Sequence, residues 1–221
     1  KVIKAYGEKI DNDTMLNFLI WNIGYAGLGQ TSNFFFDQKK LLFSTSGDIY
    51  PTKELSSSYF EGILNTIKAN PVAFYLLQEV DEASKRSHYQ HQLEAIAMAK
   101  DSCSARFAIN ADIAHIPIPV FEPWQHYGGV KSGLLSISRF QPAVSKRLQL
   151  PGELAIPDRY FQLDRCVLFQ RYPLPSGKSL VVLNVHNSAH DKHGELKWQE
   201  LSFLKALMLQ EFKDGNFVVA G

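Results

Sequence analysis

Val72-Ala73-Phe74-Tyr75-Leu76-Leu77-Gln78-Glu79 is the stretch on which the reading of this chain turns. Its apolar run follows Asn70-Pro71, where proline ends any preceding helix, and it describes a strand, Val72 to Leu77, that passes straight into an amide and a carboxylate. A carboxylate at the end of a buried strand is costly unless a cation or a hydrogen-bond donor satisfies it. Alone, Glu79 reads as a solvated strand end. It does not stand alone: Trp21-Asn22, Ser138-Arg139 and Asn184-Val185-His186 also fall where apolar runs stop.

Outward from this strand, the chain alternates strands with helices. Met15 to Ile23 reads as a first strand buried on both faces, entering a loop with Gly24, Gly27 and Gly29. Tyr59 to Ala69 sets Phe60, Ile63, Leu64 and Ile67 at helical spacing, and His88 to Lys100 does the same with Leu93, Ile96 and Ala97. A strand is expected at Ala105 to Asn110. Ile113 to Gly129, with Pro117, Pro119, Pro123 and three aromatic residues, reads as a long irregular loop. Strands are then expected at Leu134 to Ser138, Ala143 to Leu150, Tyr160 to Arg171 and Ser179 to Val185. A helix from Gly194 to Phe212, with Leu196, Leu201, Leu204, Leu207 and Leu209 towards one face, leads to a last strand at Phe217 to Ala220. Sheets faced by helices follow from this mixture.

With 221 residues and 25.0 kDa, the chain suffices for one large domain with a well-buried core. A hydrophobic content of 45% and a charged content of 20% exclude a disordered chain, and no repeat points to a solenoid. The net charge of +1 gives no global footprint for nucleic acid, so any such contact would rest on local patches. Cys103 and Cys166 lie far apart without metal-ligand spacing and read as free thiols. The chain starts at Lys1 with no signal-like segment and contains no apolar stretch of membrane-spanning length. An exported or membrane-anchored parent that has lost its leader is compatible with this, and the compartment stays open.

The ordered phrases Trp21-Asn22-Ile23, Gln78-Glu79-Val80, Gly133 to Arg139 and Asn184-Val185-His186 resemble the endonuclease/exonuclease/phosphatase superfamily, which includes deoxyribonucleases, AP endonucleases, sphingomyelinases and inositol polyphosphate 5-phosphatases. The resemblance implies a four-layer α/β sandwich, with two mostly antiparallel mixed sheets face to face and helices outside. It implies a metal-dependent hydrolase of phosphate esters using Mg²⁺ or Mn²⁺. Glu79 matches the metal-binding Glu, Asn22 the Asn near metal and phosphate, and His186 the active-site His. Arg139, Tyr127, Asn184 and Arg165 are expected on the substrate side, and Asp164, Lys197 and Gln199 resemble flanking family positions. A Gly-Asp-x-Asn loop and a terminal Asp-His motif follow in that pattern and are not found within residues 1–221. The resemblance therefore implies a single domain over residues 1–221 whose C-terminal part is missing, a weak or inactive catalyst by itself, and a monomer.

Three alternatives remain. A phosphomonoesterase of the same fold shares the motifs with a phosphodiesterase of the nuclease, phospholipid or phosphoinositide type. A binding module could keep the fold without the chemistry, although it has no need of Asn22, Glu79 and His186 together. A zinc site from His186, His190, His193 and Asp191 lacks the one-turn helical spacing that such sites use. Lys85-Arg86, Lys131 and Lys146-Arg147 are further candidates for phosphate contact, and the aromatic residues Phe121, Trp124 and Tyr127 for a base, a sugar or a lipid interface.

Overall fold

A computed structural model of the chain describes residues 1–32, 42–44, 49–152, 165–188 and 194–221. Among these residues, nine strands form two sheets. The first has the order β1 (Val2–Ala5), β4 (Ser104–Ile116), β5 (Gly128–Ser138), β3 (Phe74–Asp81), β2 (Phe18–Asn22). The second has the order β6 (Val144–Gln149), β7 (Cys166–Pro173), β8 (Ser179–Val185), β9 (Phe217–Ala220). The pairs β2–β3 and β8–β9 are parallel and the rest antiparallel. The four layers expected from the sequence are the ones present.

Period-two burial explains the layering. On β3, Tyr75 and Leu77 face helices α1 (Lys53–Ala69) and α2 (Gln92–Met98), in a core with Ile63, Ile67, Leu93 and Ile96. Phe74 and Leu76 face the other way and meet Phe140, Tyr172, Leu180 and Val182 between the sheets. Val181 and Leu183 turn outward from β8 onto Leu204 of α3 (Glu195–Lys213). β3 and β8, each central in its sheet and covered on both sides, are the strands that carry Glu79 and lead to His186.

Three expectations are corrected, and one strand is new. The first strand is five residues long and lies at a sheet edge, with Ile20 51% exposed, so it is not buried on both faces. β4 continues to Ile116 and β5 begins at Gly128, because Ile113, Ile116 and Val130 find a core of their own with Ile49 and Tyr127. The irregular loop is therefore residues 117–127 only. On α3, Leu201 and Leu209 are exposed, and the buried stripe is Leu196, Glu200, Leu204 and Glu211. The short strand β1, two of whose four residues are half-buried, was not foreseen. Residues 160–164 of the strand expected from Tyr160 to Arg171 lie outside the described residues. Cys103 and Cys166 are unbridged.

Candidate active site

Glu79 owes its position to a β-bulge. β3 pairs with β5 at Leu77↔Leu135 and again at Val80↔Gly133, so Gln78 and Glu79 together oppose Leu134 alone. Regular alternation would send Glu79 into the helix-side core after Tyr75 and Leu77. The inserted residue gives that place to fully buried Val80 instead. Glu79 takes φ +55°, a left-handed conformation that costs a non-glycine residue about 1–2 kcal/mol. Opposite the bulge, Gly133 permits a close approach: a Cβ there would lie 2.2 Å from the Ala108 carbonyl oxygen.

The displaced carboxylate meets Asn22, because parallel pairing sets Asn22 against Gln78. Asn22 Nδ2 donates to Glu79 Oε1 at 2.9 Å, and Asn22 Oδ1 accepts from the Gly24 amide at 3.0 Å, which fixes the side chain from both ends. His186, one residue past β8, brings Nε2 to 3.7 Å from the same Oε1, which is beyond hydrogen-bond length. Burial, reinforced by the charges of Arg165 and Arg86, lowers the His186 pKa to about 4, so the imidazole is neutral at pH 7. Among the described residues no donor meets Glu79 Oε2.

Arg165 joins this group. Its burial works against its charge and lowers its pKa, while the carboxylates of Glu200 and Glu79 act in the opposite sense. Its Nη1 is buried without a hydrogen-bond partner, as is Asn187 Oδ1 in the loop after His186. Glu200 is 1% exposed and holds that loop, accepting from the Ser188 amide at 2.8 Å and the Ser188 hydroxyl at 2.7 Å. A carboxylate four residues after Leu196 and four before Leu204, on the buried stripe of α3, was the sequence signal for Glu200. Lys197 and Gln199, singled out from sequence, are exposed instead.

Asn184, Tyr127 and Arg139, the other residues expected on the substrate side, lie apart from this group. Asn184 is fully buried: it donates to the carbonyls of Leu77 and Leu135 at 3.2 and 3.1 Å and accepts from Gln78 Nε2 at 2.7 Å, tying the second sheet to the first. Tyr127 is 2% exposed, and its ring packs edge-on to Tyr50. Arg139 lies at the opposite end of the sandwich: β5 runs antiparallel to β3, so Ser138 pairs with Phe74, five residues or about 17 Å of strand from Glu79. There Arg139 faces Glu8 at 3.7 Å.

Beneath the site, Arg86 makes a two-point contact with Asp81, Nη2 to Oδ1 at 2.8 Å and Nε to Oδ2 at 3.1 Å. Its guanidinium lies 3.8 Å over the Tyr25 ring. Burial opposes the Arg86 charge, but Asp81 outweighs it and holds the pKa above its ordinary value. Tyr25 belongs to the loop after Asn22, so this cluster joins the ends of β2 and β3. Lys85 donates to the His126 carbonyl and Lys131 pairs with Glu82. Asp164, His190, Asp191 and His193 lie outside the described residues.

As a metal site, this arrangement fits a hard, largely hydrated cation. Glu79 offers oxygen with one atom uncommitted, and Mg²⁺ commonly takes one or two carboxylates with water and phosphate oxygens completing its sphere. Among the described residues no group of three or more His, Cys, Asp or Glu side chains could hold a metal.

The two facing sheets with their outer helices recur in solved structures. A protein from Leptotrichia buccalis C-1013-b of the endonuclease/exonuclease/phosphatase family matches with TM-score 0.50 at 10% identity over 87% of this chain and 63% of its own. The endonuclease/exonuclease/phosphatase from Beutenbergia cavernae DSM 12333 matches with TM-score 0.51 at 16% identity over 85% of this chain and 42% of its own. The chain has the endonuclease/exonuclease/phosphatase fold. ANGEL2, a 2',3'-cyclic phosphatase solved in complex with adenosine-2',3'-vanadate, shares this fold with TM-score 0.52 at 19% identity over 92% of this chain and 51% of its own. The chain thus spans between two fifths and two thirds of the endonuclease/exonuclease/phosphatase-fold structures it matches. No protein-family model matches the sequence, nor does any curated protein.

Proposed function

We propose that this chain carries part of the active site of a metal-dependent phosphoric ester hydrolase, with phosphodiesters as the preferred substrate class. The observation that supports it is the meeting of Asn22, Glu79, His186 and Arg165 at one end of the sandwich, with Glu79 held in a strained bulge. Strain of this kind persists where the surroundings enforce it, and it concentrates at functional positions.

In this reading Glu79 would hold Mg²⁺ or Mn²⁺, with Asn22 positioning its carboxylate. Such a cation would supply Lewis-acid stabilisation of charge on the phosphoryl group. Arg165, with a buried and unsatisfied N–H group, grips a non-bridging phosphate oxygen. His186, neutral at pH 7, donates an N–H hydrogen bond to the phosphoryl group or the leaving oxygen, and an arriving phosphate raises its affinity for a proton. ANGEL2, described as a 2',3'-cyclic phosphatase, acts on a phosphodiester and agrees with this class.

The test is hydrolysis of bis(p-nitrophenyl) phosphate and p-nitrophenyl phosphate by the parent protein with Mg²⁺, Mn²⁺ or EDTA, beside Glu79→Gln. Metal-dependent diester cleavage that Glu79→Gln abolishes supports the proposal. Faster monoester cleavage moves the substrate class to phosphomonoesters. Full activity in Glu79→Gln, or no hydrolysis of either ester with any metal, overturns it in favour of a binding module.

A further inference from the structure

The hairpin between β4 and β5 outruns its sheet. β3 ends at Asp81, opposite Ser132, yet β4 and β5 stay paired as far as Ile116↔Gly128. From the level of Glu79 the ladder runs on for about 17 Å, and residues 117–127 form its tip. That tip projects from the end of the sandwich that bears Asn22, Glu79 and His186.

Its surface is inverted relative to an ordinary loop. Val120 is 50% exposed, Phe121 58% and Trp124 72%, and beside them Leu42 is 54% and Phe43 52% exposed. The two segments are one unit: the Phe121 amide donates to the Leu42 carbonyl at 3.1 Å, and the rings of Phe43 and Phe121 stand 5.2 Å apart. The polar groups meanwhile turn to each other, Ser44 donating to Glu122 through both its amide and its hydroxyl. Single exposed apolar side chains are normal on a protein surface, but five on two adjoining segments mark a contact surface.

The occupant follows from shape and charge. A convex tip cannot enclose a small ligand. A polyanion needs free cations, yet of the described lysines beside the hairpin Lys85 is committed to the His126 carbonyl and Lys131 to Glu82. A neutral, convex group of Phe, Val, Leu and Trp side chains has the composition of an interfacial membrane anchor, with Trp at the water boundary. We infer that the 117–127 tip, together with Leu42 and Phe43, is a docking element for the surface of an uncharged, zwitterionic lipid bilayer, which would set the Glu79 end of the sandwich against the headgroup layer.

The experiment needs no hydrolysis, so it fails or succeeds apart from the hydrolase reading. Chain 1–221 is sedimented with phosphatidylcholine vesicles, and its tryptophan emission is measured against vesicles brominated along the acyl chain. Binding with quenching is expected. Trp124→Phe should keep the binding and lose most of the quenching, since Trp198, also exposed, lies on α3. The double variant Phe121→Ser with Trp124→Ser, at two exposed positions that leave the core intact, should lower the partition coefficient ten-fold or more. Absence of binding to phosphatidylcholine overturns the inference. So does binding confined to anionic vesicles and unchanged in the double variant. Self-association in sedimentation velocity that the double variant abolishes, without vesicle binding, assigns the tip to a second copy instead.

Discussion

Gln78 on one sheet and Asn184 on the other meet at 2.7 Å, one residue before Glu79 and two before His186. Asn184 also donates to the Leu77 and Leu135 carbonyls. The spacing between the candidate carboxylate and the candidate imidazole is therefore set by a buried polar contact between the two sheets. Replacing Asn184 with Ala leaves buried polar groups unpaired and should destabilise the chain by about 2–4 kcal/mol. A fall in the urea midpoint at constant m-value checks this.

Glu79 trades stability for position. Glu79→Gly removes the Cβ penalty of the left-handed conformation and should stabilise the chain by up to about 1 kcal/mol, whereas Glu79→Gln keeps the penalty and should stay within about 0.5 kcal/mol of the parent. Thermal unfolding of the two variants at pH 7.5 without metal separates them, and equal midpoints would contradict the assignment of strain to the bulge.

The folded-state pKa of about 4 at His186 has a direct consequence for acid stability. In the unfolded chain the imidazole titrates near 6.5, so between pH 6.5 and 4 the unfolded state binds the extra proton. Stability in the absence of metal should be at its full value above pH 6.5 and should fall as pH drops towards 4, by on the order of 2–3 kcal/mol from this residue. His186→Gln should flatten that slope, as measured by chemical denaturation at a series of pH values.

Arg86 and Asp81 are a buried pair whose partners cannot be removed singly. Arg86→Met leaves Asp81, which has no solvent exposure, with an uncompensated charge and should cost about 3–5 kcal/mol. It also takes away the cation over Tyr25, so amide exchange in the 24–27 loop after Asn22 should quicken, a change that hydrogen-exchange mass spectrometry resolves.

Much of the fold is written in local pattern. Ser179 to Val185 coincides with β8 because an interior strand covered on both faces shows a continuous apolar run, here Leu180 to Leu183. The edge position of Phe18 to Asn22 was not legible, since an apolar run does not state how many neighbours it has. The ends of β4 and β5 were hidden by proline-rich sequence whose apolar residues find their core only at Ile49 and Tyr50. For the site, Asn22, Glu79 and His186 come together at strand ends, and Arg165, expected inside a strand, joins them from the residue before β7. Ser138-Arg139 carries the same strand-end signature, but antiparallel pairing puts its end at the far side. Direction of pairing is a property of two strands, and no single motif contains it.

The Gln78–Asn184 contact joins residues 106 positions apart. Closing so long a stretch of chain costs entropy that no local turn offsets, and topologies rich in such contacts fold slowly. Helices α1 and α2 can dock on the first sheet before the second sheet exists, but Glu79 and His186 cannot face each other until both sheets have formed and closed. A chain caught midway through refolding would therefore already show helical circular dichroism while lacking the candidate site, and any affinity for a divalent ion that depends on that site would arise only in the last kinetic phase.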